Sequence, residues 1–234
     1  MGAELLRISG LHAYYGESHV LHGVDCQVAR GEVVTLLGRN GAGRTTTLKA
    51  VLGLVPARSG SVRIDGREVI ALATHQIARL GVGYCPEERG IYASLSTEEN
   101  LLLPPPVAPG GMALDELYTL FPNLRERRNS RGTHLSGGEQ QMLALARILR
   151  AGARLLLLDE ISEGLAPVII QALARTIQRL RGQGYTILMV EQNFRFAAPL
   201  ADRFYIMERG RMVESFAAGE LQAKMPLLHE YLGV

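Results

Sequence analysis

The sequence predicts an α/β fold in which a mainly parallel sheet is covered by helices on both faces. Three observations support that prediction. The apolar segment 32–37 leads into a glycine-rich loop and then into a helical pattern at 45–52. Four consecutive leucines at 155–158 form the wholly apolar kind of strand that is buried on both faces. Strand-like and helix-like segments alternate from there to residue 207.

Length and composition are those of an ordinary globular chain. The 234 residues are 47% hydrophobic, and 25 Lys and Arg face 23 Asp and Glu. This near balance disfavours nucleic acid as a partner, because proteins that bind phosphate backbones concentrate basic residues on one surface. Cys26 and Cys85 are expected to be buried or half-buried thiols in a reducing cytosol.

The sequence predicts no membrane-spanning segment of its own. No apolar run approaches the roughly 20 residues that a spanning helix needs. The start of the chain, Met1–Arg7, lacks the basic and apolar regions of a secretory signal. We therefore expect any role at a membrane to depend on docking to another chain.

The remaining elements of the predicted core follow in chain order. The opening segment 5–28 contains short β-like stretches that are interrupted at Gly10, Gly16 and Gly23. A strand at 61–64 then ends in a tight turn. The others are a helix that ends at 77–80, a strand at 82–85, a helix at 139–150, a helix at 168–180, a strand at 186–190, a helix at 194–200 and a strand at 204–207.

A change of composition at about 97–131 predicts a small helical subdomain. Leucine and phenylalanine recur there at helical spacing, and the segments 104–106 and 109–111, rich in proline and glycine, interrupt them as a loop. The expected boundaries are a helical subdomain at about 91–151 and a core at about 1–90 and 152–234 within one domain, 1–234.

Residues 38–45 read Gly-Arg-Asn-Gly-Ala-Gly-Arg-Thr, which is a phosphate-binding loop. Its glycines let successive N–H groups point at one anion, and the following helix adds its positive N-terminal end. Thr45 is placed to ligate Mg²⁺. The strand before and the helix after disfavour a glycine-rich turn that binds nothing. The expected nucleotide contacts are Gly38, Arg39, Asn40, Gly41, Ala42, Gly43, Arg44, Thr45 and Thr46.

Arg44 departs from this motif, which has lysine at its position. Lysine is a compact charge that reaches the terminal phosphates, whereas arginine is longer, planar and forked. Misplacing a catalytic group by about 1 Å costs on the order of 100-fold in rate. We therefore expect nucleotide binding to survive the change better than turnover does.

Two further motifs are candidate ligand sites, one acidic and one suited to an anion. Asp159 and Glu160 follow the leucine strand, at the end where open α/β sheets bind ligands. The alternative is a strand end with two solvated acids. Ser136, Gly137 and Gly138 begin a helix whose N–H groups suit an anion. The alternative to an anion site is a capping box, in which Ser136 and Glu139 only cap the helix. A capping box explains the serine and the glutamate but not the two glycines, which weaken a first helical turn.

The segment 135–141, Leu-Ser-Gly-Gly-Glu-Gln-Gln, together with the phosphate loop and Asp159-Glu160, resembles the ATP-binding subunits of ABC transporters over the whole chain. The resemblance implies a P-loop NTPase core with an N-terminal antiparallel β part and a helical subdomain. ATP and Mg²⁺ are the implied ligands. Asp159 would hold the Mg²⁺ and Glu160 would polarise the attacking water.

The same resemblance implies a head-to-tail dimer. The segment Ser136–Glu139 would face the γ-phosphate held by a second ATPase subunit, identical or not, so that two chains sandwich two ATP molecules. Tyr15 would stack on adenine, with Tyr14 as the alternative. Glu87 takes the position of a glutamine that senses Mg²⁺ and the membrane partner. Gln192 takes that of a switch histidine and would act in catalysis.

Several segments resemble the subgroup that serves bacterial uptake of branched-chain amino acids, most strongly its second, shorter ATPase. They are Tyr15-Gly16, His19–His22, Leu135–Met142, Ser162–Pro167 and Val190–Asn193. This implies ATP hydrolysis coupled to import by a peripheral protein at the cytoplasmic face of the inner membrane. Its partners would be integral-membrane permease subunits and, indirectly, a substrate-binding protein.

Two alternatives remain open. Arg44, and Ile161 in place of the family's proline, fit a nucleotide-binding subunit that hydrolyses ATP only weakly. A soluble ABC ATPase of repair, translation or cluster assembly is the other. Those relatives generally carry tandem cassettes or a long coiled coil, whereas this chain has one cassette and no heptad run.

Overall fold

The structure, a computed structural model, describes residues 2–233, so that Met1 and Val234 of the expected domain lie outside it. The strands are β1 (Glu4–Tyr15), β2 (Ser18–Ala29), β3 (Val33–Leu37), β4 (Ala57–Ile64), β5 (Arg67–Glu68), β6 (Val82–Cys85), β7 (Leu155–Asp159), β8 (Thr186–Glu191), β9 (Arg203–Glu208) and β10 (Arg211–Ala217). The helices are α1 (Arg44–Val51), α2 (Thr74–Ala78), α3 (Thr97–Leu102), α4 (Leu114–Leu120), α5 (Pro122–Glu126), α6 (Gly137–Arg150), α7 (Pro167–Gly182), α8 (Phe194–Ala197) and α9 (Leu221–Leu232).

The larger sheet confirms the predicted mainly parallel architecture. Its strand order is β10-β9-β3-β8-β7-β6. All neighbouring pairs are parallel except β9 and β10, which are antiparallel. Every residue of β3, β7 and β8 is buried, as expected for apolar strands covered on both faces.

The smaller sheet is antiparallel, with the order β2-β1-β4-β5, and it corrects the prediction for the N-terminal segment. Instead of short stretches, β1 and β2 are strands of 12 residues each. Gly10 and Gly23 lie inside them, at irregularities of the β1–β2 register, with φ of 55° and 80°. Glycine accepts these left-handed angles, so the strands bulge and continue. Only Gly16 lies in the connecting turn.

The helical segment packs on the sheet through a shared core. Leu101, Phe121 and Leu143 from this segment belong to the same buried cluster as Leu156 and Ile187 of the sheet. The proposed boundaries of the subdomain remain a prediction. Among the predicted helices, α8 is shorter than expected, because regular helix ends at Ala197 and turns follow. The sequence prediction missed β5, β10 and α9.

Candidate functional site

The predicted motifs meet at one edge of the parallel sheet. Strands β3, β7 and β8 run in the same direction, so their carboxyl ends lie side by side. Leu37, the last residue of β3, is opposite Glu191, and Asp159 is opposite Val190. The phosphate loop, the Asp159-Glu160 pair and the end of β8 are therefore adjacent, as ligand sites of open α/β sheets require.

The phosphate loop needs its glycines for backbone shape and for close packing. Gly41 and Gly43 have φ of 81° and 104°. A β-carbon at Gly43 would lie 2.9 Å from Leu21 Cδ2, and one at Gly38 would lie 2.5 Å from the carbonyl oxygen of Met207. Helix α1 begins directly after Gly43, and no side chain of the described residues caps it. Its first-turn N–H groups are therefore available to an anion.

A cavity of ≈ 300 Å³ opens above the loop. Of the predicted contacts, Gly38 lies outside its wall, buried directly after β3. Arg39 also lies outside it: its guanidinium turns away and donates to the carbonyls of Tyr231, at 3.0 Å, and Glu230, at 3.4 Å, in α9. The cavity is lined by Val20, Asn40, Gly41, Ala42, Gly43, Arg44, Thr45, Thr46, Glu87, Glu160 and Glu163.

Arg44 is buried at the base of this cavity, with 4% of its surface exposed. Its Nη2 donates to Glu160 Oε1 at 2.7 Å and to Asn40 Oδ1 at 3.1 Å. Its Nη1 is also buried but has no hydrogen-bond partner among the described residues. Buried donors are rarely left unpaired, because desolvation without a partner costs about 1–3 kcal/mol. Within residues 2–233, Nη1 is therefore an unsatisfied donor buried beside the cavity.

Thr45 and Asp159 form an oxygen-only group that fits Mg²⁺. The Thr45 hydroxyl donates to Asp159 Oδ1 at 2.9 Å, and the Tyr84 hydroxyl donates to Oδ2 at 2.9 Å. Burial raises the pKa of Asp159, while these two hydrogen bonds counteract the rise. The part of the chain that is described has no cluster of three His, Cys, Asp or Glu suited to a metal. Mg²⁺ typically takes one or two carboxylates and completes its shell with phosphate and water.

Tyr84 was not among the predicted site residues. It lies in β6, which is parallel to β7, one residue before the end of its strand. The sequence does show a tyrosine close to the carboxyl end of a predicted strand. Only the strand order reveals that this strand lies beside β7, which carries Asp159.

Glu160 has the environment of a base that acts near neutral pH. It has φ of 47°, and its amide donates to Val190 O at 2.9 Å. Burial, followed by the neighbouring carboxyl of Glu163, raises the pKa of Glu160 to about 7, although Arg44 opposes the rise. Ile161, the departure from proline, is buried in the core.

A second buried carboxyl group lies next to this turn and was not predicted. Glu191, at the end of β8, is 1% exposed. Its Oε1 accepts from the Ser162 amide at 3.2 Å, and its Oε2 accepts from the Ser162 hydroxyl at 2.8 Å. Burial raises the pKa of Glu191 to about 8. No sequence signal separated Glu191 from an ordinary strand-end acid.

The segment Ser136–Glu139 forms the capping box that was its structural alternative. Glu139 N donates to Ser136 Oγ at 3.3 Å, and Ser136 N donates to Glu139 Oε2 at 2.7 Å. A β-carbon at Gly138 would lie 2.7 Å from Ile169 Cγ2 in α7, so packing also requires that glycine. A β-carbon at Gly137 would meet only the mobile end of the Arg89 side chain, at 3.0 Å. Packing therefore requires glycine less strictly at position 137 than at position 138.

The three remaining predicted residues are exposed. Tyr15 is 42% exposed next to the β1–β2 turn, whereas the Tyr14 ring stacks on His19 at 4.2 Å. Gln192 directly follows β8. Glu87 lines the cavity, while Tyr15 and Gln192 lie outside its wall. The structure therefore brings together the phosphate loop, Glu87, Asp159 and Glu160, and Gln192 follows at the adjacent end of β8. The Ser136 turn and Tyr15 lie outside the cavity wall.

Comparison with known proteins agrees with this geometry. The ABC transporter family profile matches residues 21–163. The high-affinity branched-chain amino acid transport ATP-binding protein BraG of Pseudomonas aeruginosa is 41% identical, over 98% of this chain and 100% of that protein. The lipopolysaccharide export system ATP-binding protein LptB of Acidithiobacillus ferridurans is 34% identical, over 99% and 98%. A solved ATP-binding subunit of an ABC transporter superposes with a TM-score of 0.81 at 30% identity, covering 98% of this chain and 96% of that one.

Proposed function

The chain belongs to the ABC transporter family as an ATP-hydrolysing, ATP-binding subunit, and we propose that it energises the import of branched-chain amino acids. The observation that carries the proposal is the 41% identity to the Pseudomonas aeruginosa protein over essentially both full lengths. Similarity to lipopolysaccharide export proteins is lower, at 34%. The segments Ser162–Pro167 and Val190–Asn193, which resemble the amino-acid subgroup, also support it.

In this proposal the cavity at the sheet edge holds the ATP phosphates. The first-turn amides of α1 and the loop Asn40–Thr46 bind them, and Arg44 adds a positive charge at the base of the cavity. Thr45 and Asp159 hold Mg²⁺, with Glu87 on the cavity wall as an additional carboxylate. When bound, the metal neutralises phosphate charge.

Glu160 is the proposed catalytic base. With a pKa of about 7, Glu160 is ionised in a large fraction of the molecules near neutral pH. The carboxylate is then basic enough to accept a proton from the attacking water. Gln192 is proposed to donate its side-chain amide to the γ-phosphate, which it does without titrating near neutral pH as histidine does. Tyr15 is proposed to stack on adenine.

The proposal requires a second ATPase subunit. The Ser136–Glu139 turn is exposed or half-buried at the start of α6, except for Gly138, and it lies outside the wall of this chain's own cavity. Its helix N-terminus therefore suits a γ-phosphate held by another subunit. A head-to-tail dimer, of identical or different chains, would place two ATP molecules between the subunits.

Integral-membrane permease subunits are the remaining direct partners, and a substrate-binding protein is an indirect one. Among residues 2–233, no helix is long and apolar enough to cross a membrane. We place the chain as a peripheral subunit at the cytoplasmic face of the inner membrane.

The contact between Arg44 and Glu160 favours a second candidate, a nucleotide-binding subunit with weak hydrolysis. The proposed base is held 2.7 Å from a buried guanidinium. An arginine paired with the base and with Asn40 is directed less towards the terminal phosphates than a lysine would be.

The test is transport by the purified complex. The tagged chain is isolated from source-cell membranes with its permease, reconstituted into liposomes, and given ATP and radiolabelled leucine. We expect uptake that is lost with Glu160→Gln, the matched control with the base removed. An ATP-driven flux of another solute, without leucine uptake, would reject the proposed substrate. Isolation without any membrane protein would reject the transport role.

A further inference from the structure

Two functional loops leave the parallel sheet side by side. The loop after β7 carries Glu160, and the loop after β8 carries Gln192. The two strands are parallel neighbours. Glu160 N donates to Val190 O at 2.9 Å, which extends the backbone hydrogen bonding between β7 and β8 by one residue beyond Asp159.

One carboxyl group joins the two loops beyond that point. Glu191 comes directly before Gln192, and both of its carboxyl oxygens accept hydrogen bonds from Ser162, which is 3% exposed. Ser162 is separated from Glu160 only by Ile161. The β7 loop is therefore fastened to the end of β8 at two places, through the Glu160 amide and through Ser162.

Burying the carboxyl group of Glu191 costs free energy of folding, and its hydrogen bonds require a polar side chain. Its side chain is 1% exposed, and a polar group in an apolar setting destabilises the fold unless it is hydrogen-bonded. Burial raises its pKa to about 8, so it is mostly uncharged at neutral pH. Filling space would need only an apolar residue such as leucine, whereas bonding to both the amide and the hydroxyl of Ser162 needs a group with two polar atoms.

We propose that Glu191 is a positioning residue that holds Glu160 and Gln192 as one unit in front of the γ-phosphate. The inference rests on the proposed roles of those two residues. Glu191 lies outside the wall of the cavity, so it acts through its neighbours and not by contact with ATP. Loosening the tether misplaces the base while the phosphate loop stays intact.

The predicted signature is a loss of turnover without a loss of ATP affinity. A displacement of about 1 Å costs on the order of 100-fold in rate. We therefore expect Glu191→Leu to lower kcat about 100-fold and to leave the Kd for ATP within roughly threefold. Glu191→Gln keeps an oxygen for the Ser162 amide and an NH₂ group for its hydroxyl, so kcat stays within a few fold of the wild type.

The experiment measures kcat, KM and ATP affinity for the complex with its partner chains, and thermal unfolding for each variant. Ser162→Ala is the mild variant, because it removes one of the two bonds without opening the core, and its kcat should fall between those of the other two. A Glu191→Leu protein with wild-type kcat would overturn the inference. So would parallel losses of kcat, ATP affinity and stability across the three variants, because they indicate a purely structural role.

Glu160→Gln, measured beside them, separates this inference from the proposed function. If Glu160→Gln retains full turnover, Glu160 is not the catalytic base, and Glu191 then has no base to position. If it is inactive while Glu191→Leu and Ser162→Ala remain fully active, only the positioning inference fails. Neither result depends on the transported solute, because only ATP hydrolysis is measured.

Discussion

Arg44 Nη2 lies 2.7 Å from Glu160 Oε1, so the arginine that replaces the lysine of the phosphate loop is paired with the proposed catalytic base. The Arg44 side chain is 3% exposed and that of Glu160 is 10% exposed. A buried pair of this kind is poorly screened by water. In the proposed site, the phosphates of ATP would therefore compete with Glu160 for the guanidinium.

Arg44→Lys is expected to raise steady-state ATP turnover, by up to about 100-fold. Lysine is a single compact charge that reaches the phosphates, whereas Nη2 of Arg44 donates to both Asn40 and Glu160. Phosphate release and ATP affinity are measured for both forms in the complete complex, and affinity should change less than turnover. Equal turnover would show that arginine performs the role of lysine here.

Glu160→Gln is expected to lower turnover by at least about 100-fold and to trap an ATP-bound dimer. The amide cannot accept the proton of water, and it removes a negative charge that faces the phosphate. Light scattering of the variant in Mg²⁺ and ATP measures the assembly, with ADP as the control. A protein that stays monomeric in ATP would count against the head-to-tail dimer.

Ser136→Arg is expected to abolish turnover while the ATP affinity of the monomer stays largely intact. The long cation would block the helix N-terminus that is proposed to face the nucleotide of the second subunit. It also removes a helix cap, worth about 1 kcal/mol.

Ser136→Asp separates the two effects of that substitution. Aspartate caps a helix as well as serine does, but it puts a carboxylate against the phosphate. Turnover should fall while the free energy of unfolding, measured in urea, is preserved. If Ser136→Asp keeps full turnover, Ser136 serves only as a cap.

The pH profile of kcat/KM is expected to fall on the acid side of about pH 7. The pKa of Glu160 is raised to about 7, so the carboxyl is protonated below that pH and cannot accept a proton. Glu163 contributes to the rise, and Glu163→Gln should therefore move the acid limb to lower pH and leave the plateau unchanged. An acid limb that does not move would mean that another group controls it.

The sequence alone determined the family motifs, the parallel sheet and the position of the phosphate loop, because these depend on neighbours in the chain. A loop of three glycines between a strand and a helix is a local signal, and so is a strand of four leucines before two acids. The same locality produced the errors: glycine at 10 and 23 indicated breaks, although the strands bulge there and continue through pairing with distant residues.

Only the tertiary structure decided which side chains meet. Arg44 and Glu160 are 116 positions apart, and Ser162 and Glu191 are 29 apart, so no periodicity or spacing connects them. They meet because β8 lies between β3 and β7 and all three strands end at one edge. Burial at that edge then raises the pKa values of Glu160 and Glu191 above the usual value of glutamate. These shifts are set by desolvation and neighbouring charge, which the residue type alone does not reveal.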